Sequence, residues 1–567
     1  MKILTLHCDY IRYQPLKKAL QRAEPLKSEK EVQVKDPIVV LTAVESKDGE
    51  SQIKALVSAV ETTAKDVKAT NIVLYPYAHL SSNLAKPGHA LESLKKAEKL
   101  FAKKFKVTRA PFGYYKSFEL KCKGHPLAEL SKEFTSMIQE KGHDVEEYDS
   151  KKLLKEISRA KLDTSKLKSN DHRILAQKLD LFSFNETAPG MVFWHNNGLI
   201  IYNELIKFAR EQNLKASYQE ISTPTILDKR LWQISGHWEK YKENIFLTKY
   251  ENRDFAVKPM NCPGGMLIYK SSTKSYKDLP LRVAEFGTVH RQELSGVLAG
   301  LFRVIKFTQD DAHIFCTETQ LEKEIIEIIK LTELYLKTFN LSYHVELSTR
   351  PEKRIGDNKI WDKAERVLEK VLKKQKVKYK INKGDGAFYG PKIDFHVKDS
   401  LNRTWQLSTI QLDFAMPERF DLEYTDKDNK RKRPIMLHRA IFGSIERFIG
   451  ILLEHLDGNL PTWLSPTQVR VINFTDKNNK AVEKTLKELK EAIPNLRIDT
   501  DLESTTVSDK IRKAEIQKIP YIIVIGDKEE SAGTLAVRPR GGKPKFGVKL
   551  ETFIKDLKEE IQNRTES

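Results

Sequence analysis

A charged stretch that is poor in apolar residues, from about residue 143 to 175, divides this chain. Its sequence, HDVEEYDSKKLLKEISRAKLDTSKLKSNDH, offers few side chains to a hydrophobic core, so we predict a linker with a short helical segment over 143–190. The 567 residues are also too many for one core, since domains average ~150 residues. The chain is therefore expected to fold as three or four domains.

The residues before and after this linker differ in pattern. In residues 1–142, strand-like runs such as KILTLHC alternate with amphipathic helices such as GESQIKALVSAVETTAKDV, which predicts a compact α/β unit. In residues 191–460, strand-like stretches separated by long irregular segments dominate, and the helix GSIERFIGILLEH closes the block. Beyond Pro461, strands and helices alternate through residue 567, which predicts a small α/β domain.

Cysteine usage and apolar runs bear on the compartment. Four cysteines without regular spacing argue against a disulfide framework and fit a reducing compartment. The N-terminal apolar run is broken by His7 and Asp9, so we do not expect a signal peptide. The longest apolar runs, IPYIIVIG and FIGILLEH, fall short of the ~20 residues that a membrane span needs. We expect a soluble, cytoplasmic protein without membrane contact.

The net charge is +20, from 98 Lys and Arg against 78 Asp and Glu. A lysine-rich solubilising surface would give such a balance, and so would a surface that binds a polyanion. Charge alone leaves both interpretations open.

The stretch AVKPMNCPGGML, residues 256–267, places Cys262 between an asparagine and a Pro-Gly-Gly turn. A zinc site with an open position needs three protein ligands, and His313 in FTQDDAHIFC and His438 in RPIMLHRAIFGS lie on or at the end of predicted strands. Cys316 follows His313 by three residues on one strand, so the two side chains point to opposite faces. Spacing alone leaves Cys262 as either a ligand or an ordinary buried thiol.

Arginines lie at the ends of the same predicted strands. RVAEFGTVHRQELSGVLAGLFRVIKFTQDDAHIF predicts two antiparallel strands, with Arg291 ending the first, Glu293 in the loop and Arg303 starting the second. Arg447 lies in the first turn of the helix GSIERFIGILLEH. Such arginines bind either phosphate, which suits the planar guanidinium fork, or carboxylates in structural salt bridges.

Together these segments closely resemble the class II aminoacyl-tRNA synthetases. Arg291 and Glu293 match the second motif of that class, and Gly443, Glu446 and Arg447 match the third. EISTPTILDKRLW, at 220–232, resembles the dimer-forming first motif. Within the class the chain is most similar to the threonyl-tRNA synthetases over about 215–567, through MNCPGG, TQDDAHIFC, GAFYGPKIDF, WQLSTIQLDF and MLHRAIFGSIERFIGILLEH.

The resemblance implies an antiparallel-sheet catalytic core over 191–460 and an ATP-dependent ligase that activates L-threonine, transfers it to tRNA(Thr) and forms a homodimer. It implies one zinc ion per subunit on Cys262, His313 and His438, and Mg²⁺ with the ATP. Zinc with an open position could bind both the amino group and the hydroxyl of threonine, whereas an apolar pocket separates isosteric valine only ~100-fold. Gly265 replaces a histidine of many relatives, at a position that is not a ligand.

The resemblance also implies roles for further residues of this core. The expected catalytic residues are Arg291 and Arg447. The expected ATP-binding residues are Arg291, Glu293, Arg303, Gln406, Thr409, Ser444 and Arg447. The expected threonine-binding residues are Met260, Gln309, Asp311, Tyr389 and Gln411.

Serine also carries a hydroxyl, and its missing methyl is worth only ~1–3 kcal/mol, so a threonine enzyme needs a serine-removing site. No HxxxH motif of the bacterial editing type precedes residue 200. Residues 1–142 instead resemble the archaeal-type editing domain, which is similar in fold to D-aminoacyl-tRNA deacylases. On this resemblance a hydrolytic pocket is lined by His79, Tyr115, Lys116 and Glu129, and Lys116 places the water or the ester carbonyl.

The segment 461–567 resembles the anticodon-binding domain of these synthetases. Lys518, Glu529 and Arg538 match positions that read anticodon bases there, and base-specific reading of an exposed loop suits such side chains. Ser504 departs from the asparagine of some relatives. A tRNA partner would also account for the positive net charge.

Two other functions fit parts of the pattern. A class II synthetase for serine or proline would need the set of Cys262, His313 and His438 to be lost or replaced, and all three are present. A catalytically altered tRNA-binding or regulatory paralogue would usually lack the motif arginines, and Arg291 and Arg447 remain. We therefore expect the threonine enzyme.

Overall fold

A computed structural model describes residues 1–20, 23–26, 28–81, 83–134, 151, 153–154, 167–251, 253–399 and 402–564 of the chain. The chain divides into two compact units, residues 1–148 and 149–567. The first part of the predicted linker, 143–166, lies almost entirely outside the described residues.

The described part of the first unit forms a seven-stranded sheet with two α-helices. The strands β1 to β7 are Lys2–Lys18, Val32–Lys35, Pro37–Ala43, Asn71–Pro76, Lys106–Arg109, Tyr114–Cys122 and Glu129–Glu133, and the helices are α1, Glu50–Asp66, and α2, Pro87–Phe101. Strands β3, β4 and β5 are parallel, and β1 runs antiparallel to β3. The long β1 also pairs with β2, β6 and β7, so four strands of the sheet pair along it.

Burial explains why these segments fold as they do. Every residue of β3 is buried, which fits a central strand covered on both faces. Helix α1 buries Ile53, Val57, Val60 and Ala64 on one face, the spacing of an amphipathic helix. These side chains share one apolar core with β3, β4 and α2. The predicted α/β character of residues 1–142 agrees with this arrangement.

The second unit contains an eight-stranded sheet with the strand order β10-β14-β15-β22-β19-β18-β16-β17. Its strands and those of three smaller sheets, β8 to β22, are Phe182–Ser183, Phe193–Trp194, Gln219–Glu220, Ile226–Asp228, Leu247–Tyr250, Arg253–Val257, Leu281–His290, Lys306–Cys316, Tyr343–Ser348, Tyr379–Asn382, Lys392–Lys398, Thr404–Asp413, Tyr424–Thr425, Arg431–Lys432 and Ile435–Ser444. The helices α3 to α11 are His172–Leu179, Asn196–Lys215, Lys229–Ile234, His237–Tyr241, Cys262–Lys270, Leu321–Thr338, Asn358–Lys374, Ala415–Arg419 and Ile445–His455. The central strands from β14 to β16 in this order are antiparallel.

The two faces of β15 have different neighbours, because successive side chains of a strand alternate. Ala312, Ile314 and Cys316 pack into a large apolar core with α4, α8 and α11. Phe315 packs on the other face, in a smaller core that includes Cys262 of α7. Cys316 therefore lies on the opposite face from His313, as the spacing predicted.

The structure differs from the sequence-based expectation in two places. Long helices, α4 of 20 residues, α8 of 18 and α9 of 17, replace much of the irregular structure expected in residues 191–460. The described end of the predicted linker packs against the rest of the second unit, because Leu175, Ala176 and Phe182 belong to the large apolar core.

The C-terminal part of this unit is a five-stranded sheet with the order β24-β23-β25-β26-β27. The strands β23 to β27 are Val469–Asn473, Ile498–Asp501, Tyr521–Ile525, Thr534–Pro539 and Lys545–Lys549, and the helices α12 to α15 are Asn479–Ala492, Val507–Ile516, Asp527–Ala532 and Leu550–Asn563. It contacts the larger sheet region through Arg497, which donates to Glu204 at 3.0 Å. None of the helices in the described part of the chain is long and apolar enough to cross a membrane.

Candidate functional site

The candidate site lies on one face of the eight-stranded sheet. Gln309, Asp311 and His313 alternate along β15, so their side chains share that face. Across the pair of β15 and β22, Gln309 lies opposite Ser444 and His313 lies opposite His438. Strand β15 thus carries a row of three polar residues along the site, and the facing row on β22 has His438 at one end, Ser444 at the other and Ala440 between them.

At one end of these rows, Cys262, His313 and His438 form a buried cluster. One nitrogen or sulfur atom from each lies within 4.8 Å of the others. Nε2 of His313 is buried and has no hydrogen-bond partner among the described residues. Burial raises the pKa of the Cys262 thiol and lowers the pKa of His313. A thiol, an orphaned imidazole nitrogen and a second imidazole are a donor set that fits zinc.

Two contacts hold side chains at and beside this cluster in place: that of Asp413 with His438, and that of Asn261 with Asp311, for which Gly287 leaves room. Asp413 Oδ2 lies 2.9 Å from Nε2 of His438, which leaves Nδ1 of that ring for the cluster. Asn261 donates from Nδ2 to Asp311 at 3.2 Å. A Cβ on Gly287 would lie 2.1 Å from Oδ1 of Asn261, so only glycine permits this approach. Burial raises the pKa of Asp311 to about 6.

At the other end of the rows, a cavity of about 390 Å³ contains the motif arginines. Its lining includes every predicted ATP-binding residue, namely Arg291, Glu293, Arg303, Gln406, Thr409, Ser444 and Arg447, and also Gln309. Three guanidinium groups face one carboxylate there, which gives the cavity a net positive charge. Such a cavity suits a polyphosphate.

The arginines are held by backbone groups more than by carboxylates. Nε of Arg291 donates to the Pro259 carbonyl at 3.1 Å, and Nε of Arg447 donates to the Phe302 carbonyl at 2.9 Å. Burial, with Arg291 and Arg303 nearby, lowers the pKa of Arg447. Within the described ranges neither Arg291 nor Arg447 forms a salt bridge, although Arg303 pairs with Glu293. Two guanidinium groups therefore lack a counterion that a bound phosphate would provide.

The third-motif residues place Arg447 at the start of α11. Ser444 caps the helix by accepting from the backbone N–H of Arg447 at 3.2 Å. Gly443 has φ +65°, and a Cβ there would lie 2.8 Å from the Leu407 carbonyl oxygen, so glycine is required. Glu446 is buried and accepts from the backbone N–H of Thr308 at 3.0 Å, which ties α11 to β15. Burial raises the pKa of Glu446 to about 7.

The remaining predicted residues of the core lie around the cluster. Tyr389 donates its hydroxyl to Gln411, and its ring centre is 5.1 Å from that of His438. Met260 packs against the apolar core that contains Cys262. The structure thus brings the predicted metal, threonine and ATP residues together around one face of the sheet.

Two residues that the sequence analysis did not single out also belong here. His237 is buried with its ring centre 5.7 Å from that of Phe388, and its Nε2 has no partner among the described residues. Burial lowers its pKa to about 3. Lys392 forms ion pairs of 3.0 Å with Asp385 and Asp394. Lys392 lies within GAFYGPKIDF, one of the stretches that carried the family resemblance.

In the first unit, His79, Tyr115 and Lys116 line one cavity of about 480 Å³. Nζ of Lys116 donates to the carbonyls of Pro111 and Tyr114 at 3.0 and 3.1 Å. Burial lowers the pKa of Lys116 to about 8. Glu129 is not part of the lining of this cavity, since it lies on β7 opposite Leu6.

In the C-terminal sheet, Glu529 and Arg538 line a cavity of about 490 Å³ together with Phe474 and Phe546. The two phenylalanines are 59% and 75% exposed, which suits stacking of unpaired bases. Lys518 lies elsewhere, with its Nζ 3.3 Å from Asp457. The structure thus brings two of the three predicted anticodon residues together and adds an aromatic pair.

Comparisons with known proteins agree with the three parts of the chain. Residues 1–134 match the archaea-specific editing domain of threonyl-tRNA synthetase, residues 246–456 match the tRNA synthetase class II core domain (G, H, P, S and T), and residues 468–560 match an anticodon binding domain. The predicted fold class is confirmed by these matches.

Curated relatives match most of the chain. A threonine–tRNA ligase of Desulforamulus reducens is 52% identical over 398 residues, which are 70% of this chain and 62% of that protein. A threonine–tRNA ligase of Clostridium botulinum is 52% identical over 401 residues, again 70% of this chain and 62% of that protein. The chain therefore spans less than two thirds of the length of these relatives.

A solved structure covers a similar share of the chain. The crystal structure described as the RNA binding domain of threonyl-tRNA synthetase from Cryptosporidium parvum Iowa II is 38% identical, with a TM-score of 0.67. The match covers 69% of this chain and 98% of that one. The chain therefore belongs to the threonyl-tRNA synthetase family of class II aminoacyl-tRNA synthetases.

Proposed function

We propose that this chain is a threonine–tRNA ligase that activates L-threonine with ATP and transfers it to the 3′ end of tRNA(Thr). The observation that carries the proposal is the shared sheet face, on which Gln309 and Asp311 connect the cluster of Cys262, His313 and His438 to the arginine cavity. An amino acid bound beside the cluster would present its carboxylate to the α-phosphate of an ATP bound in the cavity.

Activation expels pyrophosphate and needs stabilisation of charge on phosphoryl oxygens more than covalent chemistry. Arg291 binds the α-phosphate, and Arg303 and Arg447 bind the outer phosphates, with Mg²⁺ accompanying the ATP. Glu293 accepts a hydrogen bond from the adenine amine. Arg291 and Arg447 form no salt bridge with any residue that the structure describes, which supports these roles because their charge is available to the ligand.

Threonine is selected by its hydroxyl. Cys262, His313 and His438 would hold zinc, which when bound would supply a Lewis acid for the amino and hydroxyl groups. Asp311 accepts a hydrogen bond from the hydroxyl, and Tyr389 and Gln411 close the pocket over the side chain. Valine fills the same space but leaves these polar groups unpaired, and such a mismatch is heavily penalised.

Serine passes this selection, and the first unit hydrolyses the resulting seryl-tRNA(Thr). The half-buried ammonium group of Lys116, which lies 5.1 Å from the ring centre of Tyr75 in a largely apolar cavity, supports an ester-binding site. Lys116 orients the ester carbonyl or the attacking water, and His79 and Tyr115 line the remainder. Glu129 lies on β7 and not in the lining of this cavity, so its position does not support the role expected for it.

The C-terminal sheet reads the anticodon of tRNA(Thr) through Glu529 and Arg538, with Lys518 as a more distant contact. Exposed apolar side chains on the sheet formed by β11, β12 and β13, including Ile226, Leu247 and Tyr250, support a homodimer through the first motif. A cytoplasmic location follows from this role in translation.

ATP–pyrophosphate exchange with threonine, serine or valine tests the proposal. We expect exchange with threonine, weaker exchange with serine and none with valine. His313→Ala abolishes exchange because it removes a ligand, whereas His344→Ala, on β16 of the same sheet, leaves it unchanged. Absence of exchange with threonine would overturn the proposed activity, and valine activation equal to that of threonine would overturn the role of zinc.

A further inference from the structure

His172 lies outside the residues that match the class II core domain, yet it makes two buried contacts with that core. It is the first residue of α3, and its side chain is 1% exposed. Nδ1 lies 2.6 Å from Oε1 of Glu454 on α11, and Nε2 accepts from the backbone N–H of Leu301 at 3.0 Å. The ring therefore bridges the helix of Arg447 and the turn before Arg303.

The hydrogen bonds fix the tautomer of this ring. Since an amide N–H can only donate, Nε2 must be the acceptor and Nδ1 must carry the proton that points at Glu454. Burial pushes the pKa of Glu454 upward, but hydrogen bonds from His172 and Arg403 outweigh it, so the pKa is lowered and the carboxylate is ionised. His172 thus donates from Nδ1 to a buried carboxylate and accepts with Nε2 from the turn.

The turn Gly300–Phe302 depends on this contact. Gly300 has φ +53°, and a Cβ there would lie 2.2 Å from Nε2 of His172. The centre of the His172 ring is 4.4 Å from that of Phe302, which also stacks on Trp405 at 4.4 Å. The Phe302 carbonyl in turn accepts from Nε of Arg447, and Arg303 follows directly in the chain.

The group of Asp171, His172 and Glu454 also has the spacing of a metal site. Cations already neutralise it, because Asp171 pairs with Arg173 at 2.9 Å and Glu454 pairs with Arg403. Both nitrogens of His172 are engaged in hydrogen bonds. The contacts of His172 therefore fit a role in positioning the turn better than a role as a metal ligand.

We propose that His172 is a positioning residue for ATP, which holds the turn Gly300–Phe302 and through it the guanidinium groups of Arg303 and Arg447. This inference rests on the proposed function, since it assigns the ligand of the arginine cavity. Removing the ring nitrogens leaves the N–H of Leu301 and the carboxylate of Glu454 buried without this partner, and the turn shifts to reach another. Binding of ATP then weakens, while the threonine end of the site is unaffected.

The test measures the KM for ATP and the KM for threonine in pyrophosphate exchange, and ATP affinity by calorimetry with Mg²⁺. His172→Phe keeps the aromatic packing on Phe302 but removes both hydrogen bonds. We expect the KM and Kd for ATP to rise roughly tenfold, with the KM for threonine unchanged. His172→Gln, which can donate and accept, restores part of the loss.

His195→Phe is the matched control. His195 makes a similar pair of hydrogen bonds, to Asp180 at 2.6 Å and Ser183 at 3.0 Å, and neither partner lines the arginine cavity. We expect its KM for ATP to equal that of the unaltered chain. A His172→Phe protein that unfolds at a lower temperature but keeps its ATP affinity would show a merely structural role and overturn the inference.

Gly300→Ala gives the same test without altering His172, should His172→Phe fail to fold. The added methyl group displaces the turn from Nε2, so ATP affinity falls as it does for His172→Phe. Unchanged ATP affinity in this variant would contradict the inference. Calorimetry separates the two proposals, because a chain that binds ATP but shows no exchange with threonine fails only the proposed function.

Discussion

The two carboxylate oxygens of Asp413 have different partners, one the ring of His438 and the other the start of helix α10. Oδ2 lies 2.9 Å from Nε2 of His438, and Oδ1 accepts from the backbone N–H groups of Ala415 and Met416 at 2.8 and 3.0 Å. Because α10 fixes one oxygen, the other holds the His438 ring at a set angle. The carboxylate is fully buried, so water does not compete for it.

Asp413→Asn should weaken zinc binding by about 10- to 100-fold, the usual effect of removing a carboxylate behind a histidine ligand. An asparagine side chain has only one oxygen, so it cannot accept both from His438 and from the backbone N–H groups of Ala415 and Met416. Chelator competition on the purified protein measures this affinity. Asp421→Asn, an exposed carboxylate nearby, is the control, and equal zinc affinity in both variants would contradict the prediction.

Gly287→Ala should raise the KM for threonine between about tenfold and a hundredfold, since small displacements of positioning groups are costly. The new methyl would lie 2.1 Å from Oδ1 of Asn261 and would push Asn261 away from Asp311. Pyrophosphate exchange gives the KM values. Gly296→Ala, where a Cβ meets no atom of the described residues within 4 Å, should behave as the unaltered chain, and the KM for ATP should change in neither variant.

Strand positions in the site were predictable because their alternation is strong. RVAEFGTVHR and FTQDDAHIFC fall on β14 and β15, and the period of two correctly separates His313 from Cys316. Helix α9 was not predicted, although its buried Trp361, Ala364, Leu368 and Leu372 recur at the helical spacing of three to four residues, a signal that could have identified it.

Long-range partners could not be predicted from one sequence. His172 bonds Leu301 and Glu454, which are 129 and 282 residues away, and neither short motif nor spacing signals such contacts. The cluster around Cys262 was proposed only through the family resemblance, because spacing alone left the thiol ambiguous. Lys518 shows the opposite case, in which a sequence match falls on a residue that lies outside the cavity.

Lys116→Met should reduce hydrolysis of seryl-tRNA(Thr) by about a hundredfold, because it removes the one ammonium group that lines the cavity among the described residues. Pre-charged seryl-tRNA(Thr) and a deacylation assay measure the loss. Charging with threonine should be unchanged, since the site proposed for that reaction lies in the other unit. Lys121→Met, exposed on the same strand, should hydrolyse the ester normally.

Lys116 also predicts a pH effect on stability. Burial lowers its pKa from 10.5 to about 8 in the folded chain, so between these values the unfolded chain binds more protons. Its contribution to the free energy of unfolding therefore rises as the pH increases from about 8 toward 10.5. Urea unfolding at several pH values should show this rise in the unaltered chain and a smaller one in Lys116→Met. Parallel curves for the two proteins would refute the effect.

Phe546→Ala should weaken binding of tRNA(Thr) by roughly tenfold, since stacking of a base on an aromatic ring contributes ~1–3 kcal/mol. Phe546 is 75% exposed beside Arg538 and Glu529, so its ring is available to an unpaired base. Filter binding with tRNA(Thr) measures the change, and pyrophosphate exchange without tRNA should stay normal. Phe193→Ala, another exposed phenylalanine, controls for general loss of apolar surface.

A tRNA with a replaced anticodon should bind the unaltered chain and Phe546→Ala equally weakly, and a persistent difference would place the contact of Phe546 outside the anticodon.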